Sequence, residues 1–335
     1  MTNIPKPDAT RKPMRNKALA VAIGLALTPG LATAQVSNMP QTVQDRLREV
    51  GPGWGKDILG NVAKTLEVYT PALAAAPKAG VTVTKEISYG SDDRQKLDVY
   101  HPTSRSQTAP VVIFFHGGAY VRGERNINEQ IYGNIPTWFA RQGIVGINAT
   151  YRLAPAAKWP AAAQDVGAVI KWVKDNASQI GADPNRVFVM GQSAGATHVA
   201  SFAFMKDLQP ADGHGVAGFI LISGRYEIDP ASDDPNLANA QAYFGSDRTR
   251  YPIQSPLNYV KNAPKFPIFI AISEYDNPDL DTQGALLFAA LCQRDRACPR
   301  FTRMEKHNHL SAVYQFNTPD EAFAKEVLAF MERGR

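Results

Sequence analysis

Residues 186–205 read RVFVMGQSAGATHVASFAFM. The apolar run Val187–Met190 has the composition of a short buried strand, and a helical pattern of small and apolar residues starts at Ser193. Ser193 therefore stands on a strand-to-helix turn, inside Gly191-Gln192-Ser193-Ala194-Gly195. A turn this sharp brings the backbone on its two sides together, which accounts for glycine at 191 and 195. The hydroxyl then projects above the strand end. The N–H of Ala194, at the start of the following helix, points to where an oxyanion develops once the serine attacks a carbonyl. Five residues alone are compatible with an ordinary loop, so the surroundings decide.

Outward from this turn, apolar strands and amphipathic helices alternate. VTVTKEISYG and LDVYHP read as a ribbon of two strands joined at Ser91-Asp92-Asp93, followed by VVIFF, a helix near Ile135–Arg141 and IVGINATY. A helix over 160–180 carries Val166, Val169, Ile170 and Val173 on one face and stops at Gly181. After the serine helix come GFILIS, an irregular segment, PIFIAIS, a helix through Leu286 and Leu291, FTRME, and a last helix whose capping box is Thr318–Glu321. This order predicts an α/β fold: a mostly parallel eight-stranded sheet covered by helices on both faces, with its active site at the carboxyl ends of the strands.

The flanking segments set the domain organisation. Arg11, Lys12, Arg15 and Lys17 precede the apolar run Ala18–Leu27, and Ala32-Thr33-Ala34 stands before Gln35, so residues 1–34 read as a signal peptide of a periplasmic or secreted protein. A membrane anchor fits less well, because the run is short and Pro29 and Gly30 interrupt it. Residues 35–80 form a helical arm, broken at Gly51-Pro52-Gly53, and an alanine-rich linker, PALAAAPKAG; the main domain follows over 81–335. Without the leader, the 36 basic and 31 acidic residues fall to 31 and 30, since the leader holds five of the former and one of the latter. A balance this close to neutral gives no electrostatic footprint for nucleic acid, and no later stretch is long enough to span a membrane. Cys292 and Cys298 are too few for a metal site, and an exported chain favours a local disulfide between them.

Candidates for chemistry stand where strands end. His116-Gly117-Gly118-Ala119-Tyr120 follows VVIFF, and its paired glycines let backbone N–H groups approach a reacting centre. After PIFIAI come Glu274 and Asp276; Asp276 is favoured to orient a histidine, with Glu274 the fallback, while Asp279 and Asp281 suit a helix N-cap. Of the six histidines only His307 and His309 follow both serine and acid, and His309 is favoured as the deeper in its loop. Arg152 is expected to hold the loop after its strand, with Asp165 as its partner.

The combination FFHGGAYVRG, NATYRLAPAAKWPAAAQD, DPNRVFVMGQSAGA, ISEYDNP and HNHL resembles the α/β-hydrolase esterases of the hormone-sensitive-lipase and bacterial carboxylesterase/formamidase groups. The resemblance covers the chain from about Val81 onward. It implies a triad of Ser193, Asp276 and His309, oxyanion donors at Gly118, Ala119 and Ala194, and His116 and Gly117 as the supporting loop. Two positions depart from the family pattern: Ala119 replaces a third glycine, and Gln192 stands where many relatives carry an acid. The resemblance also implies a small cap over 225–262, whose Tyr226, Tyr243, Phe244, Tyr251 and Tyr259 become candidates for lining the pocket. The expected activity is hydrolysis of small-molecule carboxylic esters of short to medium acyl length through an acyl-enzyme, with no metal or organic cofactor. The alternatives are an amide or formamide hydrolase of the same fold and a non-catalytic hydrolase-like binding protein.

Overall fold

The computed structural model describes residues 36–104 and 108–333; the predicted signal peptide lies outside them. Eight strands form one sheet: β1 (Val81–Ser88), β2 (Lys96–Pro102), β3 (Ala109–Phe115), β4 (Val145–Ala149), β5 (Ala182–Gln192), β6 (Gly218–Ile222), β7 (Ile268–Tyr275) and β8 (Arg300–Asn308). Their spatial order is β1-β2-β4-β3-β5-β6-β7-β8, and only the β1–β2 and β2–β4 pairings are antiparallel. Neighbouring residues of the central strands divide between two cores, as the two-residue strand period requires. Val111, Ile113, Phe115, Val187 and Val189 face one core, and Val112, Phe114, Phe188 and Met190 face the other. Strands buried on both faces read as unbroken apolar runs, which is why VVIFF and RVFVM show no polar alternation.

Helices cover each face. On the first lie α4 (Ala161–Asp175), the single turn α5 (Ala177–Ile180) and α6 (Ala194–Phe204); Gly181 ends α5 in the left-handed region at φ 69°. The other face is covered by the N-terminal helices α1 (Gln41–Val50) and α2 (Ile58–Ala74) and by α3 (Asn134–Arg141). Val43, Leu47, Trp54, Tyr69 and Leu73 of the arm are buried in that core. Between β6 and β7 lie α7 (Leu237–Phe244) and the short α8 (Tyr251–Gln254); α9 (Leu280–Asp295), α10 (Ser311–Tyr314) and α11 (Ala322–Arg333) complete the chain. Cys292 at the end of α9 is bridged to Cys298.

Several boundaries differ from the sequence reading. The predicted linker contributes its first four residues to α2, which runs through Pro71 to Ala74 because Leu73 has a buried seat in the core. The last helix starts at Ala322, without the predicted capping box. The Thr318 hydroxyl instead donates to Gln315 O at 2.5 Å, and Glu321 accepts from the Trp138 indole and pairs with Lys325. Asp279 does occupy the position before α9, but its side chain caps nothing, since it sits at φ 68°.

Candidate active site

The turn at the serine is built as its glycines require. Ser193 has φ 56°, a left-handed value unusual for a side-chain-bearing residue. A Cβ on Gly191 would lie 2.5 Å from Gly195 O, and one on Gly195 would lie 2.2 Å from Phe115 O, so both positions exclude any larger residue. The serine thus stands above the end of β5, against the loop that leaves β3.

That loop is fastened from below. His116 is fully buried; its Nδ1 meets Gly117 O at 2.6 Å, and its ring stacks on Tyr151 at 4.5 Å. The Tyr151 hydroxyl donates to His116 O at 2.8 Å. Burial pushes the His116 imidazole down to about 4, so a neutral ring supports the loop at physiological pH. Ala119 takes φ 48° where a third glycine would be unstrained. Among the described residues the N–H groups of Gly118, Ala119 and Ala194 find no acceptor within the protein, and all three residues border cavities at Ser193.

His309 lies just past β8, where its N–H donates to Tyr275 O at 3.0 Å. Its Nδ1 meets Asp276 Oδ1 at 2.6 Å, which fixes the proton on Nδ1 and leaves the Nε2 lone pair free to accept. Asp276 is fully satisfied: Oδ1 also accepts from Asn277 N, and Oδ2 accepts from Ser223 Oγ at 2.5 Å and Ser273 N at 3.1 Å. The fallback acid Glu274 is elsewhere, accepting from Lys306 N and pairing with Arg303. His307 is not on a loop, as the sequence suggested, but within β8. It points into the core, where Nε2 meets Asp320 at 3.1 Å and Nδ1 meets Ser311 Oγ at 3.0 Å, all groups buried.

The Gln192 side chain is wedged between these parts. Its Nε2 donates to His309 O at 3.0 Å and lies 3.1 Å from His309 Nε2. Among the described residues Ser193 Oγ has no hydrogen bond, so in this resting geometry the amide of Gln192 occupies the lone pair that a base offers to the serine. Neither Gln192 nor Ser223 was assigned this contact from sequence. Ser223 ends the β6 run GFILIS, and the strand-end rule applied to β6 would have found it.

Two cavities flank Ser193. The larger, about 210 Å³, is walled by Trp54, Ile58, Leu59 and Val62 of the N-terminal arm together with Ile127, Tyr132, Leu310 and Tyr314, and it reaches Gly118 and His309. The smaller, about 40 Å³, is bordered by Ala119, Tyr120, Ala194, Ala240 and the buried ion pair Arg225–Asp234. The aromatics of 225–262 line neither. Tyr226, Tyr243, Phe244 and Tyr251 are buried in the first core, and Tyr243 stacks on Tyr120 beneath the glycine loop at 5.4 Å. Arg152 and Asp165 pair at 2.8 Å and hold the segment after β4, as expected.

The BD-FAE family model matches residues 97–291. Esterase LipC of Mycobacterium tuberculosis is 34% identical over 157 residues, which cover 44% of this chain and 38% of that one. The 3-O-acetylpapaveroxine carboxylesterase CXE1 of Papaver somniferum is 29% identical over 223 residues, 60% of this chain and 65% of its own. The chain thus spans less than two thirds of either relative. A hyperthermophilic esterase from Pyrobaculum calidifontis superposes with a TM-score of 0.66 at 22% identity, over 88% of this chain and 98% of its own, and at that identity the likeness speaks for the fold. The fold is that of the α/β hydrolases.

Proposed function

The chain belongs to the BD-FAE family, and from that membership and the geometry around Ser193 we propose that it is a serine hydrolase of carboxylic esters. The observation that carries the reading is Ser193 at positive φ, set between three unpartnered N–H groups and the His309–Asp276 pair. Esters of short to medium acyl length are its substrates.

In the proposed mechanism His309 Nε2 exchanges its contact with the Gln192 amide for the Ser193 hydroxyl and takes the proton as Oγ attacks the ester carbonyl. The N–H groups of Gly118, Ala119 and Ala194 hold the resulting oxyanion, and Asp276 stabilises the imidazolium. Collapse breaks the bond to the alcohol oxygen, which receives the proton from Nε2. Water, deprotonated by the same nitrogen, then attacks the acyl carbonyl, and as the bond to Ser193 Oγ breaks the serine takes that proton back from Nε2 and the acid is released.

Ser193→Ala tests the reading: hydrolysis of aryl and alkyl esters falls to the uncatalysed level while the melting temperature stays within a few degrees. Retained turnover removes the triad. Formanilides run beside the esters distinguish the amide-hydrolysing alternative, which requires them to be the better substrates. We also propose that residues 1–34 direct export, so that the mature protein from the native host begins at Gln35; N-terminal sequencing finding Met1 or Thr2 there removes that part.

A further inference from the structure

The two cavities at Ser193 are not equivalent, because only one of them contains the proton donor. Once the tetrahedral carbon is bonded to Ser193 Oγ and its oxyanion sits among the N–H groups, its two remaining substituents diverge. The departing oxygen must lie within hydrogen-bond reach of His309 Nε2 to collect its proton. The larger cavity is lined by His309 and the smaller is not. Building on the esterase reading, we propose that the alcohol part of the substrate occupies the larger cavity against the N-terminal arm, and that the acyl part occupies the smaller one.

The walls then define the substrate class. The larger cavity is predominantly apolar, and its mouth carries Leu59 and Ile127, 73% and 43% exposed, two of the few large apolar side chains left in water among the described residues. Such side chains at the rim of a cavity mark a surface covered by an apolar ligand. At about 10–15 Å³ for each water-sized unit, the larger cavity, about 210 Å³, holds roughly 14–21 such units, which is ample for an aromatic ring or an eight-carbon alkyl chain. By the same measure the smaller cavity, about 40 Å³, holds about three such units. Its walls include the side chains of Arg225 and Asp234, which are buried and paired and offer no apolar surface to a longer chain. The assigned class is therefore esters of acetic to butyric acid with a bulky apolar alcohol.

Two ester series measured by proton release separate the sides: acetates of methanol through octanol, and methyl esters of acetic through octanoic acid. In the alcohol series kcat/KM rises by up to about fourfold for each buried methylene. The acyl series stops rising at about four carbons. Leu59→Ser, at a position too exposed to endanger folding, lowers the octyl-to-methyl acetate ratio several-fold and does not alter the ratio of methyl octanoate to methyl acetate. Ala240→Val narrows the smaller cavity and lowers methyl butyrate relative to methyl acetate. A mirror-image result overturns the assignment: rates that climb with acyl length and stay flat with alcohol length, or a Leu59→Ser effect confined to the acyl series. In both cases Ser193→Ala is inactive and the esterase reading stands. Hydrolysis that survives Ser193→Ala overturns that reading and this one together.

Discussion

His307 and His309 are separated by one residue and do different work because β8 ends between them. His307 is still in the strand and turned into the core, where it faces Asp320. His309 has left the pleat and turned toward Asp276. Replacing His307 by alanine leaves a carboxylate buried without its partner, so His307→Ala costs about 3–5 kcal/mol of stability. His309→Ala costs orders of magnitude in kcat with a smaller loss of stability, because Asp276 keeps Asn277 N, Ser223 Oγ and Ser273 N as donors. Urea denaturation beside kinetics on both variants checks the split; equal loss of activity at equal stability would mean the two roles have been misassigned. Ser223 acts one step further out. Its hydroxyl is one of two donors on Asp276 Oδ2, and a hydrogen bond to a charged group is worth about 1.5–3 kcal/mol. Ser223→Ala therefore lowers kcat about tenfold with KM nearly constant, as steady-state kinetics on a single ester will show.

The arm formed by α1 and α2 serves the site as well as the core. The Trp54 indole donates to Asn277 Oδ1 at 2.8 Å, and Asn308 Nδ2 donates to Thr65 Oγ1 at 3.1 Å, so the arm holds a neighbour of Asp276 and a neighbour of His309. Thr65→Val keeps the shape and strands the Asn308 amide, which costs about 1–3 kcal/mol in a buried position. Chemical denaturation measures that loss, and an unchanged midpoint would show that Asn308 finds another acceptor. None of this was legible in the sequence, where nothing set Trp54 or Thr65 apart from the rest of the arm. The inner strands were legible as apolar runs and the outer ones, β1, β2 and β8, as mixed segments bounded by turn residues, and so was the meeting place of Ser193, Asp276 and His309, because strand ends in a parallel sheet converge. Contacts made by single side chains across the fold leave no such trace. The Gln192 amide on His309, the arm as a wall of the larger cavity, and the turning away of Tyr226 and Tyr243 into the core all depend on three-dimensional packing. A helix boundary such as Ala322 was missed for a related reason, since the Thr318 hydroxyl had a nearer partner than the helix.

For the molecule as a whole, two buried neutral histidines set the response to acid. Burial lowers His116 to about 4 and His198, boxed by Tyr120, Tyr151 and Tyr243, to about 3. In the unfolded chain both return to about 6.5. Above that value neither state is protonated and stability is insensitive to these rings; as the pH falls below it, the unfolded chain takes up protons that the folded one refuses, and stability is lost until the folded rings themselves protonate. Between pH 7 and 4.5 each contributes a loss of about 2–3 kcal/mol. His198→Phe should therefore lose less stability over that interval than the parent protein, and equal losses in urea titrations at the two pH values would show that His198 is charged in the fold. The reach of the arm has a further consequence, in the timing of synthesis. The bonds from Trp54 to Asn277 and from Asn308 to Thr65 join positions 223 and 243 residues apart. A ribosome making this chain releases the arm before any strand, and the apolar face of Val43, Leu47, Tyr69 and Leu73 then waits through most of translation for the last of the strands that cover it. Nascent chains halted after β6 contain the proposed nucleophile and the three proposed oxyanion donors but keep an uncovered helix pair, a target for chaperones and proteases until the segment that carries His309 has emerged.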